Sequence, residues 1–281
     1  MNQNKILILV VLYKTTLQES STIRCLKAYS QNFQFPYKVL VYNNYPEIEI
    51  HSDDDFECEI VNAEKNEFLV GPYNFAWKKA LSEGYDWLLL FDQDSTPTIE
   101  YFTELGEKLN RVDARTAAIV PLIDSDGTRV SPFVFNKNIG PFCLKPETRE
   151  NLVLKNDEYL SAINSCACMR VEAISSINGF SQEFPLDYLD LWVFLEFYKK
   201  GYTVETMSVI VQHSLSIAKS FCSMGVSRYT NYMKTRAKFA RMLSKSALFR
   251  YKFLSLGVAV KLLGRPSEWS YIVPTVKALF Y

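Results

Sequence analysis

Apolar runs of strand length recur along this chain with helix-length amphipathic stretches between them, and that alternation restricts the fold to the α/β class. Ile6 to Tyr13 is a continuous Ile/Leu/Val run, Lys14-Thr15-Thr16 is a polar loop, and Leu17 to Tyr29 carries apolar residues at helical spacing. Tyr37 to Tyr42 reads as a second buried strand, ended by Asn43-Asn44-Tyr45-Pro46, so the opening reads as βαβ. Cys58 to Asn62 fits a third strand, Val70-Gly71-Pro72 a break, Tyr73 to Ser82 a helix stopped by Gly84, and Trp87 to Phe91 a buried strand. Strands alternating with helices predict a mostly parallel, doubly wound sheet.

Later elements are predicted less evenly. Glu100 to Val112 reads as a helix with an acid in its first turn. Ala117 to Ile123 reads as a strand, with Asp124-Ser125-Asp126-Gly127 as a turn. Val130 to Asn156, with scattered Pro, Gly and charge, reads as a surface excursion. Ile163 to Met169 fits a strand, Val171 to Ile177 a short helix, Leu186 to Lys200 a helix ended by Gly201, and Thr203 to Val211 a last strand closing at His213.

Three clusters carry candidate chemistry. Asp92-Gln93-Asp94-Ser95 delivers two carboxylates at the end of the Trp87 strand, where open α/β sheets place ligands. Hard oxygen ligands there suit Mg²⁺ or Mn²⁺ carrying a diphosphate, and they equally suit an ordinary acidic turn. Asp187 and Asp190 are three residues apart, on one face of a helix start, as proton acceptors or as acids compensating the helix dipole. His213 ends an apolar strand, as a ligand or as a hydrogen-bonded surface group; His51, among Asp53, Asp54 and Asp55, reads as a solvated loop residue.

The six cysteines (25, 58, 143, 166, 168, 222) come without a secretory signal, so reduced thiols are expected. Cys166-x-Cys168 lacks a second Cys pair or a nearby His to complete a zinc site, and reads as buried thiols. No apolar stretch reaches the roughly 20 residues that span a bilayer. The net charge of zero hides an asymmetry: residues 214–281 hold twelve Lys or Arg against one acid, Glu268, a net of +11 balanced by −11 over residues 1–213. Two regions are therefore expected, a catalytic α/β domain over 1–213 and a basic, mostly helical appendage over 214–281. The basic segment is expected either to pack its apolar side on the domain or, the reading preferred here, to lie on an anionic membrane. No recognised nucleic-acid module accompanies it, so nucleic acid is not an expected partner.

The order of these motifs resembles the GT-A glycosyltransferases of family 2, within them the rhamnosyltransferase-like group. Ile8 to Tyr13 is similar to that family's first strand, Val41 to Pro46 to its nucleotide-contacting strand end, and Asn66 with Gly71 and Tyr73 to Ala76 to its Asn/Gly helix start. Asp92 to Ser95 resembles its metal and diphosphate motif. Ser165 to Arg170, Gly179-Phe180, Asp187 to Asp190, Gly201-Tyr202 and His213 follow in family order, and Arg228-Tyr229 through Tyr232 and Arg236 resembles a C-terminal Arg/Tyr segment.

The resemblance implies a GT-A fold and an inverting, divalent-metal-dependent transfer of one sugar. Leu12, Tyr13, Asn43, Asn44, Asn66, Gly71, Asn74, Asp92 and Gln93 would line the donor; Asp92, Asp94 and His213 would hold Mg²⁺ or Mn²⁺; and Asp190, with Asp187 beside it, would be the general base. It further implies a dTDP- or UDP-linked donor, with dTDP-rhamnose as the leading candidate. The acceptor would be a polyprenyl-diphosphate oligosaccharide for bacterial O-antigen or capsule, and the location cytoplasmic, peripheral on the inner leaflet. The chain departs from the family pattern at Asn43, where an Asp usually reads the base, at Trp192 and Glu196 after Asp190, and at Ala237; it also lacks a Gln-x-x-Arg-Trp sequence, which disfavours a processive synthase. Two other classes remain: a nucleotidyltransferase, which would want a glycine-rich loop where Lys14 to Leu17 has none, and a noncatalytic sugar-binding or assembly subunit.

Overall fold

Trp87 to Phe91 is apolar at every position because both faces of its strand are covered, the pattern of a sheet sandwiched between helices. The computed structural model describes residues 4–53, 55–136, 138, 145–146, 154–155, 157–213 and 224–281. In chain order the elements begin with β1 (Ile6–Leu12), α1 (Ser21–Tyr29), β2 (Tyr37–Asn43), β3 (Glu59–Asn62), α2 (Val70–Glu83), β4 (Trp87–Asp92), α3 (Ile99–Leu109) and β5 (Thr116–Ser125). They continue with β6 (Thr128–Ser131), β7 (Phe133–Asn136), β8 (Lys145–Pro146), β9 (Glu158–Ser161), β10 (Cys168–Arg170), α4 (Val171–Ser176), α5 (Leu189–Lys199) and β11 (Thr203–Gln212). The last are α6 (Val226–Leu243), α7 (Lys245–Leu263) and α8 (Ile272–Lys277). A short sheet runs β8-β7-β9. The chain divides into two compact units, residues 1–132 with 160–214 and residues 133–159 with 215–281.

In the first unit the main sheet runs β11-β5-β10-β4-β1-β2-β3, with β6 paired to β5. β10 is antiparallel to both β4 and β5, so β1, β2, β3, β4, β5 and β11 all point one way. Ile6, Ile8, Val10 and Leu12 of β1 share one buried face with Leu89 and Phe91 of β4, Ile23 and Leu26 of α1, and Phe102 and Leu105 of α3. β1 is flanked by β2 on one side and β4 on the other, so connections leave in opposite directions and a crevice opens beyond the strand ends. Register places Leu12 opposite Asn43 and Val11 opposite Asp92, which brings the predicted donor and metal residues to one sheet edge.

Several sequence-based expectations are corrected. Helix α1 starts at Ser21, not Leu17, because the Ser20 hydroxyl accepts from the Ile23 N–H and caps it there. Val70-Gly71-Pro72 is the first turn of α2 and not a break; a proline there lacks only an N–H that has no partner inside the helix. The strand expected over Ile163 to Met169 shrinks to Cys168–Arg170 because Cys166 takes a positive φ of 63°. The excursion expected over Val130 to Asn156 begins with strand residues, β7 burying Phe133 and Phe135; most of its remainder, with Cys143, lies outside the described residues, as does Cys222. Cys166 and Cys168 are free and buried, and burial pushes the Cys166 thiol up to about 12, so neither is a reactive thiolate.

In the second unit α6, α7 and α8 pack on one another. The Tyr229 and Thr275 hydroxyls lie 2.8 Å apart, and the Tyr251 hydroxyl donates to the Met233 carbonyl at 3.0 Å. Among the described residues no helix is long and apolar enough to cross a membrane.

Candidate active site at the strand ends

β4 ends in Asp92, and the loop that follows is held from three directions. From α1, the Ser20 hydroxyl donates to the Gln93 carbonyl (2.7 Å), and the Thr22 hydroxyl to the carbonyls of Asp92 (2.5 Å) and Ser95 (3.0 Å). From β1, the Tyr13 N–H donates to Gln93 Oε1 at 2.7 Å, so this side chain fastens two strand ends. From β11, Thr96 bridges to Gln212 in antiparallel register and its hydroxyl donates to the Gln212 carbonyl (3.1 Å). That last tie delivers His213, whose own N–H donates to the Asp124 carbonyl at the end of β5.

Asp92, Asp94 and His213 thereby converge, with one donor atom from each within 4.8 Å of the others. His213 Nε2 lies 3.7 Å from Asp92 Oδ2, and Nδ1 lies 3.6 Å from Asp94 Oδ1 and 3.5 Å from Ser95 Oγ. The Ser95 and Ser165 hydroxyls are 2.6 Å apart and buried, and Ser165 Oγ accepts from the Asp92 N–H at 3.5 Å. Burial raises the Asp92 carboxyl above its ordinary value; His213 and the Ser165 hydroxyl oppose this while Asp94 adds to it. Two carboxylates and one imidazole, close but not bonded to each other, form a donor set that fits a divalent ion, and the imidazole favours Mn²⁺ over Mg²⁺.

Asp187 and Asp190 are arranged differently from the sequence expectation. Tyr188 adopts a left-handed conformation (φ 68°) and α5 starts only at Leu189, so Asp187 precedes the helix and shares no helical face with Asp190. Asp190 accepts from the Leu191 N–H at 2.8 Å. Burial raises its carboxyl to about 6, the charges of Asp187 and Asp92 add to this, and the Leu191 N–H opposes it. Tyr73, fully buried in α2, is pushed well above its ordinary value by burial and then by the charges of Asp92 and Asp190.

The predicted donor residues surround the same edge. Leu12 is buried and its carbonyl accepts from the Asn44 N–H; Tyr13 is exposed, edge-on to Tyr45 at 5.4 Å, with the Lys14 ammonium over both rings. Asn43 is buried, its amide donating to Ile48 O and Asn62 Oδ1 and accepting from the Tyr45 N–H. Asn44 accepts from the Glu67 N–H and donates to Phe68 O and Asn66 Oδ1, tying β2 to the loop before α2. Gly71 leaves room for Glu67, whose carboxylate accepts from the Tyr42 hydroxyl at 2.6 Å. Asn74 pairs through both amide atoms with the Phe180 backbone, and Pro185 O accepts from the N–H groups of Leu69 and Val70. The start of α2 thus holds the segment that leads into Asp187 and Asp190.

Sequence reasoning missed Ser20 and Thr22 altogether, and it carried Ser95, Ser165 and Tyr73 only inside family motifs, with no role of their own. The Ser-rich start of α1 offered a helix-cap signal, but the carbonyls it grips lie some seventy residues away; nothing local marks the Ser95–Ser165 pair.

No protein-family model matches the chain, and no curated protein matches it either. Solved structures do match. The TarS 1-349 protein of S. aureus in complex with UDP-GlcNAc is 13% identical, aligned over 98% of this chain and 81% of that one with a TM-score of 0.58. The mannosyltransferase PcManGT from Pyrobaculum calidifontis, in complex with GDP-Man and Mn²⁺, is 10% identical over 100% of this chain and 88% of that one, TM-score 0.54. GalNAc-T7 with UDP, GalNAc and Mn²⁺ is 12% identical over 83% of this chain and 48% of that one, TM-score 0.57. At these identities the likeness establishes the fold: a mostly parallel central sheet flanked by helices, the GT-A fold.

Proposed function

We propose that this protein is a nucleotide-sugar-dependent glycosyltransferase that adds a single sugar with inversion at the anomeric carbon. The observation that carries the reading is the Asp92-Asp94-His213 group at the carboxyl edge of a GT-A sheet, with the half-buried Asp190 close enough to feel the charge of Asp92. Solved structures of the same fold hold UDP-GlcNAc, or GDP-Man with Mn²⁺, which supports a sugar nucleotide with a divalent ion here. A bound Mn²⁺ or Mg²⁺ supplies charge neutralisation for the departing diphosphate.

This chain's residues supply the rest. Asp92, Asp94 and His213 hold the ion, and Gln93, through the Tyr13 N–H, keeps the loop against β1. Leu12, Tyr13, Asn43, Asn44, Asn66, Gly71 and Asn74 form or brace the donor wall. Asp190 takes the proton of the acceptor hydroxyl as its oxygen bonds to the anomeric carbon; the bond from that carbon to the diphosphate oxygen breaks, and the nucleoside diphosphate leaves. A carboxyl raised to about 6 is ionised at neutral pH yet more basic than an ordinary aspartate, which suits it to this transfer. The negative charge of Asp187 favours the proton on Asp190.

The resemblance of the motif order to rhamnosyltransferase-like enzymes of family 2 supports dTDP-rhamnose as donor. It also supports a polyprenyl-diphosphate oligosaccharide of bacterial surface polysaccharide as acceptor, and with it a location at the inner face of the cytoplasmic membrane. The test is turnover of a panel of dTDP-, UDP- and GDP-sugars with Mn²⁺ or Mg²⁺. Release of nucleoside diphosphate from one donor above all others supports the reading, and no release from any donor refutes it.

A further inference from the structure

Helix α7 wears its residues in the reverse of the order a water-facing helix needs. The stripe it buries is Ala247, Tyr251, Ser255, Ala259 and Leu262, mostly small or polar. The side chains it exposes at i, i+4, i+7, i+11 and i+14 are Phe249, Phe253, Leu256, Val260 and Leu263, with Phe249 72% and Phe253 69% exposed. Helix α6, in the same unit, has the ordinary arrangement, burying Tyr229, Tyr232 and Phe239 and exposing Lys234, Lys238 and Arg241. The α7 stripe is therefore a property of that helix and not of a loosely packed unit. It continues past the helix: Trp269, Val273, Val276 and Phe280 repeat the same spacing and are exposed, and the Trp269 indole N–H donates to the Leu263 carbonyl, joining the end of one stripe to the start of the next.

We propose that this face docks on an anionic phospholipid bilayer, with α7 lying in the plane of the interface and its Phe249-to-Leu263 stripe among the acyl chains. The inference deepens the membrane-facing reading of the acceptor given above and rests on it. Charge decides between lipid and a second copy of the chain. At about 100° per residue, Arg250 and Lys261 border one edge of the stripe and Lys245 and Lys252 the other. No Asp or Glu occurs from Lys245 to Ser267. Paired against its own copy, such a helix would set cation against cation along both edges of the seam. Against anionic headgroups the same cations are complementary, and α7 is not apolar enough to cross a membrane.

The test is co-sedimentation of the full chain with vesicles of mixed phosphatidylcholine and phosphatidylglycerol, and with phosphatidylcholine alone, at low and high salt. Binding is expected to the anionic vesicles, to fall about fivefold for each of Arg250→Gln and Lys261→Gln at low salt, and to bring a blue shift of Trp269 fluorescence that Trp269→Phe removes. Phe249→Ser with Phe253→Ser is expected to lower partitioning more than tenfold while leaving Tm and nucleotide-sugar binding unchanged, since neither side chain is packed. No binding to anionic vesicles, or binding untouched by the paired serine variant, overturns the proposal. So does a wild-type dimer that this variant turns into a monomer, which would assign the face to a second copy. Vesicle binding needs no donor, so failure here and failure of the glycosyltransferase reading are separate results.

Discussion

Replacing Asp190 by Asn should make the protein more stable and inactive at once. Its carboxyl goes from 3.8 in a solvated aspartate to about 6 in the fold, chiefly through burial. At about 1.4 kcal/mol per pH unit, that difference of roughly two units sets a ceiling of about 3 kcal/mol on what the ionised carboxylate costs the folded state. The sign follows from proton binding: the folded protein holds this proton more tightly than the unfolded chain, so stability falls as pH rises from about 4 to about 6 and is level above about 7. Asn is neutral throughout and its Oδ1 can still accept from the Leu191 N–H. The variant should therefore match wild type below pH about 4 and exceed it by about 1–3 kcal/mol at pH 8, or roughly 3 °C in Tm for each kcal/mol at this size. Thermal unfolding of both proteins without metal, across that pH range, is the assay. A variant less stable than wild type at pH 8, or more stable by the same amount at every pH, refutes the argument. Transfer should be lost while donor affinity stays within about twofold; equal turnover would remove Asp190 as base.

Because the base works ionised, kcat/KM of the wild type should rise with pH through a limb near 6, and a pH-rate profile that is flat from about pH 5 to 8 would remove Asp190 as that base. Gly179→Ala should destabilise the protein by about 2–4 kcal/mol, because a Cβ there would sit 2.4 Å from Trp77 and 2.6 Å from Asn74 Oδ1 at a φ of +81°. Gly84→Ala, at a φ of +70° with nothing within 4 Å, should cost only about 1 kcal/mol, and chemical denaturation should separate the two.

The parallel sheet was legible because β1 and β4 are buried on both faces and so read as unbroken apolar runs, while β2 is apolar and buried from Val39 onward, after exposed Tyr37 and Lys38. The convergence of Asp92, Asp94 and His213 was legible because Asp92 and His213 stand at strand ends, and the parallel strands carry their carboxyl ends to one edge. What was not legible depends on local backbone conformation or on distant partners. A left-handed Tyr188 moves Asp187 off α5, and no β-turn residue type announces it. A left-handed Cys166 cuts β10 short and sets Ser165 beside Asp92, a contact 73 residues apart in sequence. Pro72 reads as a breaker unless the helix is known to begin at Val70. The amides of Asn43, Asn44 and Asn74 carry polar side chains typical of ligand sites, yet in the fold they bond to backbone that shapes the crevice. The reversed polarity of α7 could be read only once its buried stripe was known.

In the proposed function Asp92, Asp94 and His213 hold a divalent ion that carries the donor's diphosphate. Isothermal titration of dTDP and UDP into the protein, with Mn²⁺ and with EDTA, tests it most directly when repeated on Asp94→Ala and His213→Ala. Nucleotide affinity is predicted to rise at least about tenfold with Mn²⁺ in wild type, a difference of about 1.4 kcal/mol or more, and to lose most of that gain in either variant. Equal affinity in Mn²⁺ and EDTA, or a gain from Mn²⁺ that both variants keep, would contradict it.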